Sequence, residues 1–563
     1  MPKHFKKIIA VVLAASLAAS LAGCADENGG NGGYVDYDYK TDYVNYDSEY
    51  QGNPYLPLWE YTPDVEPYVF EDPDNPGSYR LYVYGSHDML KTEYCGKDLV
   101  VWSAPVEDLS DWRCDGVIFE SIVDGSADTL YAPDVTLVEK DGKKTYYLYP
   151  NNQAWGRGTM VCSSDRPDGP FEVINWKPWS TTETEGVLGF DPAVFVDDDG
   201  KVYGYWGFTE SWWGRLNENN MASLVPGESA KRNIPSYDQM TSPDYNPEDY
   251  NIVQDENVGK WGFFEASSIR KVGNKYVFIY SRNGLPEEPT GKNYNQLAYG
   301  YSDSPEGPWK WGGIIVDASG EVIPDGNGGY TRTFGGGNTH GSICEINGQW
   351  YVFYHRNLST FARQAMVEPI TVEWDEKAVS KGGEVRISMA EVTSEGFFVE
   401  GLNPYVKHSA GIACYLTGGA SITPAYSQDT TTLPVVNIRD GVIAGVKYMN
   451  FDLEPPAEGE ASLEVELKPM GAKARVSVYL RPESAVNTPV EYDEEGNVVS
   501  VGEGSFKLGE IELESDMPSE VTTFSLPASE IDGLDGRWGV FFVFESSRSS
   551  TICELYNMQF VRG

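Results

Sequence analysis

Between residues 64 and 356 the chain repeats one pattern of polar and apolar positions. A polar or charged residue opens it, and a short run rich in β-branched and aromatic side chains follows. A turn of Gly, Asp and Asn then leads into a second apolar run. The stretch from Glu265, E-ASSIRK-VGN-KYVFIYS, is the clearest copy. Asp134 opens D-VTLVEK-DGK-KTYYLYP, Asp191 opens D-PAVFVD-DDG-KVYGYWG, and His340 opens H-GSICEI-NGQ-WYVFYHR. Asp64 opens a looser copy, D-VEPYVF, with the longer turn EDPDNPGS before YRLYVYGS. Runs of this length and composition read as strands, and each pair as a hairpin. The five opening residues stand 70, 57, 74 and 75 positions apart. Hairpin units recurring at that period predict a β-propeller of five blades. Asp64, Asp134, Asp191, Glu265 and His340 would then each head an innermost strand around one axial cavity.

A second periodicity supports the first. The run Ser164-Asp165-Arg166-Pro167-Asp168-Gly169-Pro170-Phe171 returns as Ser302-Asp303-Ser304-Pro305-Glu306-Gly307-Pro308-Trp309. Each copy lies between two apolar strands, where Pro and Gly would set a turn between the outer strands of a blade. The long stretch from Glu210 to Gly262, with Trp212 and Trp213, reads either as a loop lining the site or as a surface excursion. From about residue 397 the leading polar residues stop recurring. Strands such as ASLEVEL, ARVSVYL and GRWGVFFVF tend to alternate with period 2, which predicts a separate β-sandwich, jelly-roll-like, over 397–563. The fold expected is thus all-β: a propeller over 51–396 and a sandwich after it.

The amino terminus reads as a targeting segment. Lys3, Lys6 and Lys7 precede the apolar run IIAVVLAASLAASL, as in a signal peptide spanning 1–23. The run closes in Leu21-Ala22-Gly23-Cys24, which resembles a bacterial lipobox and implies lipidation of Cys24. Residues 24–50 are polar, acidic and Gly-rich, as expected of a tether. The chain is therefore expected to be exported and held to the bacterial membrane or surface by lipid, and to act as a monomer. Export permits disulfides. The six later cysteines leave Cys95–Cys114, Cys414–Cys553 or buried free thiols open, and none forms a CxxC or CxxxC pair of the zinc or redox kind. A formal charge of −43, from 85 acidic against 42 basic residues, would repel a phosphate backbone and excludes nucleic acid as a partner.

Three aspartates and one glutamate around one axis would repel one another unless protons are shared or the environment splits their charges. Cleaving a glycosidic bond with inversion requires such a split. One carboxylate stays ionised to activate water, and another keeps a raised pKa to protonate the leaving oxygen, the two roughly 6.5–9.5 Å apart. Here the chain resembles glycoside hydrolase family 43. The resemblance rests on NPYLPLWEYTPDVEPYVF (53–70), YAPDV (131–135), GFDPAVF (189–195), FFEASSI (263–269), THGS (339–342) and YHR (354–356). It implies an inverting glycosidase with Asp64 as general base, Asp134 as the carboxylate tuning the acid, and Glu265 as general acid. Relatives carry Asp-Pro at the first site, where this chain has Asp64-Val65-Glu66-Pro67. Asp72-Pro73 falls in the turn after the first strand, so register favours Asp64 over Glu66 or Asp72.

The same resemblance implies that Arg363 holds Glu265 and Asp134. It also implies that His340 can hold a structural calcium ion through waters, and that the chemistry needs no cofactor. Asp191 is read as a hydrogen-bonding cavity residue. Phe190, Trp206 and Trp155 are candidates for a sugar-binding wall, with Trp59 and Trp261 near them in sequence. Expected substrates are arabinose- or xylose-containing plant glycans, cleaved as an α-L-arabinofuranosidase or β-xylosidase, with an endo-arabinanase or galactan-acting enzyme as the alternative. A non-catalytic surface glycan-binding lipoprotein is the reading from another class. A fructan-cleaving, retaining relative would need Arg-Asp-Pro at the second carboxylate, where Ala132-Pro133 precede Asp134. The end of the sandwich, from NIRDGVIAGVKYMNFD (437–452) to the closing ELYNMQFV, resembles family 6 carbohydrate-binding modules.

Overall fold

The computed structural model describes residues 45–47, 52–88, 93–123, 126–154, 156–285, 288, 295–324, 329–425 and 430–563. The leader, Cys24, most of the tether and Trp155 lie outside the described residues.

Five antiparallel sheets follow one another along the chain, each with its strands in sequence order from the inside outwards. Blade 1 contains Glu66–Glu71, Tyr79–Tyr84, Asp98–Pro105 and Asp111–Glu120, with Asn45–Asp47 added at its outer edge. Blade 2 contains Asp134–Lys140, Lys143–Tyr149, Cys162–Ser164 and Glu172–Val173. Blade 3 contains Ala193–Val196, Val202–Trp206, Trp212–Leu216 and Lys231–Arg232. Blade 4 contains Phe263–Val272, Lys275–Arg282, Gln296–Ser302 and Lys310–Asp317, and blade 5 has three strands, Ser342–Ile346, Gln349–Ser359 and Ala362–Ile370. The stretch from Glu210 to Gly262 therefore begins as the outer half of blade 3, and its Trp213 and Trp261 are buried in the core between blades 3 and 4.

The blades cohere because each sheet turns alternate apolar side chains to each neighbour. Phe70, Tyr82, Val101, Val135 and Leu148 pack between blades 1 and 2. Tyr149, Val161, Leu188, Val194 and Trp206 fill the gap between blades 2 and 3. Tyr205, Trp213, Phe278 and Trp309 do the same for blades 3 and 4. The recurring Ser-Asp-x-Pro turns join the third and fourth strands of blades 2 and 4. Tyr84 of blade 1 donates its hydroxyl to the Pro167 carbonyl at 2.7 Å, and Tyr205 of blade 3 donates to that of Pro305. Blade 5 lacks a fourth strand, and the amino-terminal segment shields its edge. Asn53 exchanges two hydrogen bonds with Val367 (2.8 and 3.1 Å), and Gln364 donates to the Leu58 carbonyl (2.8 Å).

After the hairpin Val372–Trp374 and Val385–Ile387 the chain builds two facing sheets. One orders Ser421–Ile422, Val435–Ile438, Cys553–Arg562, Ala461–Pro469 and Thr522–Pro527, with His408–Ser409 alongside. The other orders Tyr415–Leu416, Ile443–Asn450, Arg537–Glu545, Ala474–Pro482 and Phe506–Leu513. Strict alternation in Ala461–Pro469 places Leu463, Val465 and Leu467 in the core between the sheets, opposite Val476, Val478, Val540 and Phe542. That core continues into Tyr55 of the amino-terminal segment, Trp112 of blade 1 and Phe353 of blade 5. All six cysteines after Cys24 are free thiols, so neither candidate disulfide forms.

Candidate active site

Four inner strands carry, just before or within their first residues, a backbone that departs from extended geometry, in blade 4 as an irregularity inside Phe263–Val272. Asp64 (φ 62°), Asp191 (φ 47°) and Ala266 (φ 63°) adopt left-handed conformations, and Gly341 (φ 159°) follows His340. Non-glycine residues hold such angles only where their surroundings compensate for the strain. Here the kinks bring Asp64, Asp191, Glu265 and His340 from blades 1, 3, 4 and 5 into one buried layer.

Asp64 is held from three sides. One terminal nitrogen of Arg363 donates to both its carboxylate oxygens (3.0 and 3.1 Å), and the Ser86 hydroxyl donates to one of them. Its own N–H donates to His355 Nδ1 (3.3 Å), while His355 Nε2 contacts the Gly337 carbonyl (3.3 Å). His355 Nδ1 also lies 3.3 Å from a carboxylate oxygen of Asp64. Arg363 is itself fixed by a bidentate pair with Asp88 (2.9 and 3.0 Å) and lies over the Tyr94 ring at 4.3 Å. Burial opposes charge on Asp64, yet the adjacent guanidinium outweighs it and holds the carboxyl well below the usual range.

Glu265 has the opposite environment. It is 7% exposed, and among the described residues its carboxyl has no side-chain or backbone hydrogen bond. Burial first, then the charges of Asp191 and Asp64, push it well above the usual range. Asp191 is pushed up by burial and by Asp64, but the Asn151 amide (2.7 Å) and the Ala266 N–H (2.9 Å) donate to its oxygens. Two donors favour the anion at Asp191, whereas Glu265 has none among the described residues. The layer thus sets Asp64, whose carboxyl is held low by Arg363, against Glu265, whose carboxyl is pushed up, with Asp191 beside it.

Asp134 lies elsewhere. It accepts from the Tyr68 hydroxyl (2.7 Å), the Val135 N–H (2.8 Å) and the Val194 N–H (2.6 Å). Together with Glu66, Arg270, Ser268 and Ser342 it forms a second polar layer further along the axis, where Arg270 donates to Glu66 (2.6 Å) and Ser268 meets Ser342 (2.8 Å). Burial pushes both Asp134 and Glu66 above the usual range, against the pull of Arg270. The position beside Glu265 therefore belongs to Asp191, and Asp134 does not share it. The reason is register. Ala132-Pro133-Asp134 aligns with Asp191-Pro192-Ala193, because the inner strands start at Asp134 and Ala193. A shift of two residues keeps a side chain on the same face but moves it one layer along the strand. The matching prolines were the available signal.

Arg363 likewise meets Asp64 and Asp88, not Asp134, and its influence on Glu265 is through charge alone. Asp88, Ser86 and Tyr94 come from the loop after the second strand of blade 1, where no repeat marked them. His340 approaches Asp191 (3.6 Å) and Glu66 (3.9 Å), and burial lowers its pKa to about 4, so it is neutral. Among the described residues no three His, Cys, Asp or Glu side chains are grouped to hold a metal ion directly.

Phe190 belongs to a row of rings with Tyr131 (5.7 Å) and Phe208 (5.4 Å), and Phe208 continues it to Phe264 (5.3 Å). Phe190 and Phe264 immediately precede Asp191 and Glu265, and Tyr131 lies three residues before Asp134. Trp206 is a core residue of the blade 2–blade 3 interface, with its ring against Gly189, and Trp59 and Trp261 are core as well.

A sequence model of glycosyl hydrolases family 43 matches residues 74–378. A xylosidase/arabinosidase of Thermoclostridium stercorarium is 35% identical over 71% of this chain and 82% of its own length. An arabinoxylan arabinofuranohydrolase of Paenibacillus polymyxa is 28% identical over 58% of this chain and 48% of its own length. Among solved structures, a family 43 arabinoxylan arabinofuranohydrolase from Bacillus subtilis is 20% identical, covering 92% of this chain and 99% of its own, with a TM-score of 0.44.

Proposed function

The chain belongs to glycosyl hydrolases family 43, and from that premise we propose that it hydrolyses α-L-arabinofuranosyl or β-D-xylosyl linkages of pentose-containing plant polysaccharides and their oligosaccharides. The observation that carries the reading is the contrast in one buried layer between Asp64, held by Arg363 and Ser86, and Glu265, buried with no hydrogen bond among the described residues. Asp64 takes a proton from a water molecule as that water attacks the anomeric carbon. Glu265 gives its proton to the glycosidic oxygen as the bond to the leaving group breaks. Attack and departure occur on opposite faces of the sugar, so the product has inverted configuration. Asp191 keeps Glu265 protonated, and Arg363 keeps Asp64 ionised and oriented. The row of rings from Tyr131 to Phe264 offers apolar faces to the sugar. Both proton transfers use side chains of this chain, and the chemistry calls for no cofactor.

The pentose assignment takes support from the names of the relatives, three of which are xylosidase/arabinosidases. We place the enzyme outside the cytoplasm, anchored through a lipid on Cys24, from the leader sequence. The deciding experiment incubates the protein with nitrophenyl α-L-arabinofuranoside and β-D-xyloside and reads the first-formed anomer by NMR. Inverted product supports the mechanism. Retained configuration overturns the mechanism, and no turnover of either glycoside overturns the substrate assignment. Membrane fractionation of a Cys24→Ser chain tests the anchor, which predicts release into the soluble fraction.

A further inference from the structure

The five-stranded sheet of the sandwich is covered on both faces. One face packs in the sandwich core. Over the other, around Tyr415, Tyr479, Phe541 and Val543, lie Val498 and Val501 of a sandwich loop and Ile323 from the propeller side. Ile323 belongs to the hairpin Val322–Pro324 and Tyr330–Arg332, which follows blade 4. At the base of this hairpin Glu321 is buried (3% exposed) and accepts hydrogen bonds from Lys447 Nζ (2.8 Å), the Arg481 guanidinium and the Asn487 N–H (2.9 Å). All three partners are sandwich residues. A buried carboxylate requires such partners to remain charged, so it ties the hairpin base to the sandwich.

Glu321 is also paired with Thr333. Its N–H donates to Thr333 Oγ1 (2.8 Å), and the Thr333 N–H donates to its carbonyl (3.1 Å). Thr333 starts the segment that returns to the axis and ends at His340. The sandwich holds this start a second time, because the Leu416 N–H donates to the Thr333 carbonyl. The next residue, Phe334, lies 5.4 Å from the Arg356 guanidinium, which donates to the Ala413 (2.9 Å) and Gly411 carbonyls. The far part of the segment reaches the catalytic layer. Gly337 offers its carbonyl to His355, the acceptor of the Asp64 N–H, and Asn338 donates to the Tyr94 hydroxyl (3.0 Å), which also receives Arg363 (3.0 Å).

We propose that Glu321 is a positioning residue for hydrolysis: through its pair with Thr333 the C-terminal sandwich sets segment 333–340 against the supports of Asp64. The role of the sandwich on this reading is to complete the active site rather than to act as a separate module. The inference rests on Asp64 being the general base.

The test uses the full chain and three variants, Glu321→Gln, Asn338→Ala and the double substitution, assayed on a nitrophenyl pentoside below their melting temperatures. A displaced base support predicts that Glu321→Gln lowers kcat/KM about tenfold or more, mainly in kcat, and moves the acid limb of the pH profile. It also predicts that the double variant loses clearly less than the product of the two single losses, since both act through one segment. An unchanged kcat/KM and acid limb for Glu321→Gln, or losses that multiply fully, overturns the proposal. Should Glu321→Gln not fold, Arg481→Lys, which keeps the charge but loses the fork, is put through the same cycle. Failure here leaves wild-type turnover and product anomer untouched, so it is distinguishable from failure of the hydrolase reading.

Discussion

Asp191 accepts the backbone N–H of Ala266 at 2.9 Å, one peptide unit from Glu265. On the proposed mechanism, the carboxylate that tunes the acid is thus tied to the backbone that carries the acid. Removing its charge while keeping its shape should lower the pKa of Glu265, because part of the upward shift there comes from Asp191. The acid must be protonated to act, so in Asp191→Asn the alkaline limb of kcat/KM moves to lower pH. Each unit of movement costs about tenfold in rate above that limb. Asp134→Asn, one layer away, should leave the limb in place. A profile that shifts for Asp134→Asn and not for Asp191→Asn would exchange the two roles.

Glu265→Gln removes the proton donor but not the base. Turnover of xylo- or arabino-oligosaccharides, which need a protonated leaving oxygen, should fall by about 10²–10⁴. Activated aryl glycosides should suffer less. Asp64→Asn removes the group that activates water and should abolish turnover of both substrate types. Full oligosaccharide activity in Glu265→Gln would end the assignment.

Arg363 carries two buried carboxylates, Asp64 and Asp88, on one guanidinium. Arg363→Gln leaves both without their cation. The pKa of Asp64 then rises, and since the base must be ionised, the acid limb of kcat/KM moves to higher pH. A buried charge left unpaired destabilises the fold by about 3–5 kcal/mol, which calorimetry would register as a fall in Tm. A variant with an unmoved acid limb would show that Arg363 does not set the charge of Asp64.

How much of this could be read in the sequence depends on periodicity. The polar-headed hairpin repeat and the repeated turns mark the blades, period-2 alternation marks the sandwich, and Asp64, Glu265 and His340 stand out because they recur at the same point of each unit. Asp134 was assigned the wrong layer because a two-residue shift preserves the facing of a strand and leaves the hydrophobic pattern intact. Only the alignment of Pro133 with Pro192 distinguishes the two registers. Asp88, Ser86 and Tyr94 lie between the second and third strands of blade 1, and their convergence on the Asp64–Arg363 pair depends on closure of blade 1 against blade 5. Trp206 was misread because blade interfaces and sugar subsites draw on the same aromatic residues.

The thiols provide a simpler check. Five of the six cysteines after Cys24 are buried, and Cys344 is partly buried. Reductant should therefore change neither activity nor Tm, and Ellman labelling of the native protein should reach Cys344 at most until the chain is unfolded. A mobility difference between reduced and non-reduced chains would contradict the free-thiol state.

Stability should also depend on pH in a direction that ordinary carboxylates do not produce. Glu368 lies on the outer strand of blade 5 with 1% of its surface exposed, and burial raises its pKa to about 8. Its oxygens meet Thr393 (2.7 Å), Asn53 (3.0 Å) and Tyr354 (3.1 Å), so it lies where the amino-terminal segment, blade 5 and the lead into the sandwich converge. A carboxyl with a raised folded pKa binds its proton more tightly in the folded chain. Its stabilisation is complete below the unfolded value near 4.5 and is lost as pH rises through about 8. Glu66, raised to about 7, contributes with the same sign, whereas Asp64, held low by Arg363, contributes stability that is lost only on acidification. Tm should therefore decline from pH 5 to pH 9, and Glu368→Gln, which cannot ionise, should show a shallower decline over that range than the wild type. Parallel Tm curves for the two proteins would place the ionisation of Glu368 outside this range.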